Sequence, residues 1–386
     1  MKMNQVASIL NTVNKEIIGE EAIVSEDLSN IVDVGVTVLN ATSYDNYVKK
    51  LADHIAKVVC AIRPYKGGAP KVFMDNYEFG AIIEKISYNL PEAQDNSTWN
   101  LQNGQSYDPN VFTSPEITVK FYSNRETFEI PMSITTKQVK SAFSDAVQMN
   151  AFISGIYTAI DNAITLRFDS LIMRTINNFT GEVLHHNYPD GNYNATSHAT
   201  AVNLLHDYNA EYGTALTTDN CMHTPEFLRY CAKVIRKYVD WLKLESVKYN
   251  IGGQTRFTTE DKLHLVLLSD FAINSQYDMQ SDTFHKDLVS LPKYETVPYW
   301  QAPGDSTPSF ANNSEIHVAI ASDKSEVEAG GIIGVMFDHD ALGVTNHRDY
   351  TTSQFNARAE FTNIWHKVEA GCFNDSNENY IVFFVA

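Results

Sequence analysis

The sequence predicts an α+β fold, and three observations carry that reading. The longest helical pattern in the chain, over 135–186, stands among segments that read as strands. A strongly polar stretch, Gln94 to Asn110, is framed by alternating apolar runs. The final residues, 309–386, are mostly strand patterns.

The helical pattern rests on spacing. Phe143, Val147, Phe152, Ile156, Ile160, Ile164, Phe168, Leu171, Ile172 and Ile176 keep a helical period. No proline interrupts between Met132 and Tyr188, and Gly155 is the only glycine there before Gly181. At 1.5 Å per residue such a helix is roughly 50 Å long, a strut rather than an ordinary globular helix. Thr135, with Gln138 three residues on, fits a capping box at its start.

The polar stretch carries Asn96, Ser97, Asn100, Gln102, Asn103, Gly104 and Gln105, with few residues able to build a core. A β-like run from Ile82 to Leu90 precedes it. After it Ile117, Val119 and Phe121 alternate, Ser123-Asn124 breaks the phase, and Phe128, Ile130 and Met132 alternate again. Two strands meeting at a bend beside a long projecting loop are predicted. A loop of that length in a compact domain implies a binding role.

Ahead of it, Val6, Ile9, Leu10, Val13 and Ile17 predict a helix, and Asp45 to Ile62 a second one. Between them Val32, Val34, Val36 and Val38 alternate, as in a strand or an extended arm laid on a partner. After a loop at 187–200, a helix is predicted from Pro225 to about Tyr249, with Pro225 suited to its first turn. A buried strand follows at Leu263 to Leu268, then a short helix from Asp270 and a strand near Tyr294 to Trp300. Strands are expected at Ile316 to Ile320, Gly330 to Phe337, Ala357 to Glu369 and Tyr380 to Val385, with Asn374 to Asn379 as a hairpin turn.

Composition excludes more than it assigns. The net charge is −18, and residues 301–386 carry twelve Asp/Glu against four Lys/Arg. A surface that grips phosphates needs the opposite balance. No run of about 18 apolar residues occurs, so no membrane span is expected. No signal-peptide core follows Met1, which places maturation in a cytoplasm. Cys60, Cys221, Cys231 and Cys372 lack metal-ligand spacing and read as buried free thiols.

Signatures of phosphate-binding loops, nucleophile elbows, zinc proteases and dinucleotide sites are missing from the sequence. Gly330-Gly331-Ile332-Ile333-Gly334 follows Glu326 and Glu328, which would repel phosphate, and reads as a strand-entry turn. The metal candidate is Asp338-His339-Asp340, with His347 and Asp349 nearby, set against a solvated acidic turn. His185, His186, His198 and His206 match no zinc spacing. Neither cofactor nor catalytic residue is expected.

The order of parts resembles the Hong Kong 97-type capsid fold. Val32-Asp33-Val34-Gly35-Val36, followed by Asp45 to Ile55, looks like the start of the phi-29-type major head proteins. Tyr122-Ser123-Asn124-Arg125 before Val139 to Phe143 is similar to that family at the entrance to its long helix. Asn346-His347-Arg348 to Trp365-His366-Lys367-Val368 resembles its closing strands.

The resemblance implies an N-terminal arm and first helix at 1–69, an extended β-loop at 70–134, and a spine helix of a peripheral domain at 135–186. It further implies an axial domain at 187–308 and return strands of the peripheral domain at 309–386. It implies a major capsid protein of a tailed bacteriophage, assembling as hexamers and pentamers into an icosahedral head around double-stranded DNA. Portal and scaffold proteins would be partners, the virion its location, and a bacterial cytoplasm the place of assembly. Contacts between subunits are expected at Val34, Val36, Gln94, Trp99, Asn103 and Tyr107. A shell of a protein nanocompartment and a metal-dependent enzyme using Asp338, His339 and Asp340 are the alternatives.

Overall fold

The computed structural model describes residues 11, 14–15, 24–25, 29–30, 33–34, 68–72, 82–91, 93–96, 99–135, 146–281, 292–301, 309–320 and 325–386. The helix expected at 45–62, Val36 and Gln138 of the capping box lie outside them. Asn11, Asn14 and Lys15 are helical, as the spacing of 6–17 predicts.

In chain order the described elements begin with β1 (Ile83–Tyr88), β2 (Ile117–Tyr122), β3 (Arg125–Thr135) and α1 (Ala146–Asn187). The middle holds β4 (Ala201–Asn203), α2 (Leu204–Tyr212), α3 (Thr218–Cys221), α4 (Pro225–Leu242), β5 (Leu263–Leu268), α5 (Ser269–Ser281) and β6 (Glu295–Val297). There follow α6 (Phe310–Asn313), β7 (Ile316–Ala319), β8 (Glu326–Ala329), β9 (Ile332–Asp338), β10 (Leu342–Asn356), β11 (Phe361–Asn374) and β12 (Tyr380–Phe384). No described helix is long and apolar enough to cross a membrane.

The strut is present. Helix α1 has 42 residues, about 63 Å at 1.5 Å each. Its C-terminal half is buried on most sides, with Ile172, Ile176, Phe179 and Val183 fully enclosed. Such all-round burial needs neighbours on several faces, and two sheets and the β7–β8 hairpin supply them. At Gly181 the helix meets the hairpin so closely that an added Cβ would lie 2.2 Å from Val318 Cγ2. A side chain there would force Val318 or the helix to shift.

One sheet, of order β10-β11-β3, is antiparallel throughout. Its apolar face, with Phe128, Ile364 and Val368, packs on α1, where Phe128 meets Phe168 edge-on at 5.9 Å. Glu126 of β3 pairs with both Arg167 and Arg174 of α1, joining strand and helix on the solvent side. The second sheet has five strands in the order β4-β12-β9-β5-β6, mixed parallel and antiparallel. It is buried on both faces. Along β12, Tyr380, Val382 and Phe384 belong to the core under α1, whereas Ile381 and Phe383 belong to a core under α4. A strand covered on both sides is apolar at every position, which is why Tyr380–Phe384 shows no alternation.

Several expectations need correction. Val34 is not in a strand. Asp33 and Val34 are helical, Val34 N–H donates to Asn30 C=O at 3.1 Å, and the side chain is buried in the chain's own core. A local turn bond and burial outweigh the period-2 pattern there. The 374–379 segment is no hairpin turn, because β11 pairs with β10 and β3 whereas β12 pairs with β9 and β4. It is a crossover between sheets. Residues 309–386 accordingly divide, with β10 and β11 in one sheet and β9 and β12 completing the sheet of the middle region. The helix from Pro225 ends at Leu242, and Leu244 beyond it is 70% exposed. Strand β10 is expected from the resemblance of Asn346-His347-Arg348 to closing strands and not from periodicity, since its solvent half, Arg348 to Asn356, carries too few apolar residues to show a period.

Candidate assembly surface

Among the described residues, strands β1 and β2 pair only with each other, in register from Ile83↔Tyr122 to Tyr88↔Ile117, as a two-stranded ribbon. Residues opposite one another share a face of the ribbon. One face carries Ile83, Lys85, Ser87, Thr118, Lys120 and Tyr122 and is half-buried against the body of the protein. The other carries Glu84, Ile86, Tyr88, Ile117, Val119 and Phe121, all exposed. The apolar set therefore points to solvent: Tyr88 is 68% and Phe121 64% exposed.

The half-buried face is tied to the crossover between the sheets. Lys85 Nζ lies 2.7 Å from Asp375 Oδ2 and 3.0 Å from Glu378 Oε1, and donates to Asp340 C=O at 2.8 Å. Lys120 Nζ lies 2.6 Å from Asp375 Oδ1 and donates to Ser376 Oγ at 3.2 Å. Arg256 Nε approaches the same Glu378 Oε1 at 3.4 Å. Burial alone would raise the Asp375 carboxyl, but hydrogen bonds from Lys120, Lys85 and the Asn377 N–H outweigh it and hold it below its ordinary value. Tyr122, whose ring lies 5.0 Å from that of Phe373, has its phenol pushed up by burial and by the Asp375 charge.

Beyond the ribbon, every described residue from Leu90 to Ile117 is exposed. Gln94, Trp99, Asn103 and Tyr107 all lie on this projection, with Trp99 84% exposed. Leu101, Val111 and Phe112 are bared to a similar degree. Local bonds shape it: Gln105 N–H to Gln102 C=O at 3.2 Å, and Asn110 N–H to Asp108 Oδ1 at 2.9 Å. Gly104 has φ +86°, a turn conformation that favours glycine.

Asp338, His339 and Asp340 do not converge on a metal. The Asp338 carboxylate accepts from the Thr258 hydroxyl at 2.6 Å and from the Asp340 N–H at 2.9 Å, so it serves the turn. His339 Nδ1 faces His264 Nε2 at 3.0 Å, and Asp340 points to Lys262 at 3.6 Å. Adjacent residues at a strand end send their side chains apart. A grouping that the sequence did not suggest is Glu315, His317 and Glu328 on the exposed face of β7–β8. There His317 Nε2 pairs with the two carboxylates at 3.1 and 3.7 Å. Cys221 and Cys231 are buried free thiols, and burial pushes Cys221 up to about 11.

A sequence model described as "Phi29-like phage major capsid protein" matches residues 6–384. The chain belongs to that family. This capsid protein is similar in structure to "Capsid structure of Staphylococcus phage Andhra", with 11% identity, 83% of this chain and 84% of the other covered, and a TM-score of 0.53. It also matches "Capsid structure of the Cyanophage P-SCSP1u", at 11% identity, 82% and 86% coverage and a TM-score of 0.46. A third match is "Structure of head fiber and inner core protein gp22 of native bacteriophage P68", at 9% identity, 82% and 83% coverage and a TM-score of 0.45. No curated protein matches the chain in sequence.

The capsid protein thus has the Hong Kong 97-type fold and is a structural component of a tailed-phage virion, building an icosahedral head by assembling with its own copies. The nanocompartment and enzyme readings give way to the family match. The ribbon's lysines and the crossover acids were missed by sequence reasoning, because partners 255 and 293 residues apart leave no local signal.

Proposed function

We propose that the ribbon's outer face and the exposed projection are where one capsid subunit lies on the next. The observation that carries this is the exposure of Ile86, Tyr88, Ile117, Val119 and Phe121 on one face of a structure that contributes no core of its own. A contiguous apolar strip open to water marks a surface covered in the working state. A two-stranded ribbon alone is marginal, so covering that strip would also stabilise the ribbon. Gln94, Trp99, Asn103 and Tyr107 extend the contact.

In this reading the subunits form hexamers and pentamers, with portal and scaffold proteins as further partners, inside a bacterial cytoplasm. The five-stranded sheet with α4 forms the axial unit, and β3, β10, β11 and α1 the peripheral one. A net charge of −18 suits a shell that encloses double-stranded DNA without gripping it.

The test is Phe121→Asp with Val119→Asp, expressed beside wild type under assembling conditions. The variant is expected to stay folded by circular dichroism and to yield unassembled subunits in sedimentation and electron microscopy. Shells formed in wild-type yield would overturn the reading.

A further inference from the structure

Lys85 and Lys120 are direct cross-strand partners. Two like charges opposed on one face of a ribbon are unfavourable by themselves. Here the pair converges on one carboxylate, and Asp375 gives each lysine its own oxygen, at 2.7 and 2.6 Å. The Asp375 side chain is 1% exposed, whereas the lysines are 19% and 29% exposed. The acid is therefore the fixed partner and the ribbon the guest.

The acid is itself rigidly held. Asp375 N–H donates to Ala341 C=O at 2.7 Å, and the Asn377 N–H donates to Asp375 Oδ1 at 3.0 Å. These bonds lie in the crossover from β11 to β12, so both sheets set its position. The ribbon leaves the β3 sheet through the bend at Ser123-Asn124, and this lysine pair is a tie from each of its strands to the body.

We propose that Asp375 is a positioning residue, which sets the angle at which the ribbon leaves the subunit and thereby the curvature at which subunits meet. The inference rests on the ribbon being an intersubunit element. Glu378, shared by Lys85 and Arg256, braces the same joint from the side. Curvature enters because the ribbon is a lever. A small rotation at the lysines is carried out to the exposed projection beyond Tyr88 and Ile117.

The test uses the full-length protein as Asp375→Asn and, separately, as Lys85→Met with Lys120→Met, which leaves the core untouched. Hydrogen exchange of unassembled protein is followed in 83–88 and 117–122, and assembled particles are sized by electron microscopy. Both variants are expected to speed ribbon exchange at least about tenfold, with β10–β11 unchanged, and to give particles of mixed diameter. Unchanged ribbon exchange, exchange raised equally in β10–β11, or a uniform wild-type diameter from a loosened ribbon would each overturn the proposal. Phe121→Asp, run in parallel, separates this from failure of the interface reading, because ribbon exchange is read before any subunit contact.

Discussion

Lys85 and Lys120 face each other across the β1–β2 ribbon, and each takes one oxygen of the same buried carboxylate, Asp375. The pair turns a repulsive cross-strand contact into an anchor, and its chemistry fixes how the anchor responds to acid. Asp375 is held below its ordinary value, so its contribution is present above the unfolded pKa and lost as pH falls through the folded one. The ribbon should therefore stay anchored at pH 5 and loosen only below the ordinary Asp value of about 3.9. Hydrogen exchange of 83–88 and 117–122, corrected for the intrinsic rate, reads this. Loosening already at pH 5 would contradict it.

Two histidines make the body sensitive to acid in the same direction but at a higher pH than the anchor. Burial lowers His264, helped by the neighbouring His339, and burial lowers His366, opposed by Asp349. A histidine kept neutral in the fold binds protons later than in the unfolded chain. Stability is then full above the unfolded value of about 6.5 and declines as pH drops below it. Urea unfolding of unassembled protein should show a midpoint falling between pH 7.5 and pH 5.5. His366→Gln should flatten part of that slope, and an unchanged slope would remove His366 from the account.

The contact of α1 with the β7–β8 hairpin predicts a steric penalty. Gly181→Ala places a methyl 2.2 Å from Val318 Cγ2, so the half-buried Val318 side chain or the helix must shift. A cost of about 1–3 kcal/mol is expected in chemical denaturation, as for other overpacked cores. Val318→Ala added to it should recover most of that loss. Lack of recovery would mean that the helix backbone, and not this contact, bears the strain.

Trp99 reports on assembly. It is 84% exposed in the subunit, whereas Trp300 is buried, with its indole N–H donating to Ile332 C=O at 2.8 Å. If the projection lies on a neighbour, acrylamide quenching of the Trp99 component should fall severalfold in particles and its emission should shift to the blue. Comparison with Trp99→Phe isolates that component. Equal quenching in subunits and particles would place the projection in solvent.

What the sequence determined by itself is the set of elements whose physics is local. The period of Ile160, Ile164, Phe168, Leu171 and Ile172 made the strut, and the lack of apolar residues from Gln94 to Asn110 made the exposed loop. The alternation of Ile117, Val119 and Phe121 made a strand, and the family resemblance was legible in ordered short matches. Tertiary structure decided which face of that strand meets water, because a period of two says that faces differ and not which one is covered. It also decided that 374–379 crosses between sheets, that Val34 is helical and that Asp338, His339 and Asp340 diverge. Above all it joined Lys85 and Lys120 to Asp375. A charge pair bridging 255 residues is written in distances that only the folded chain contains.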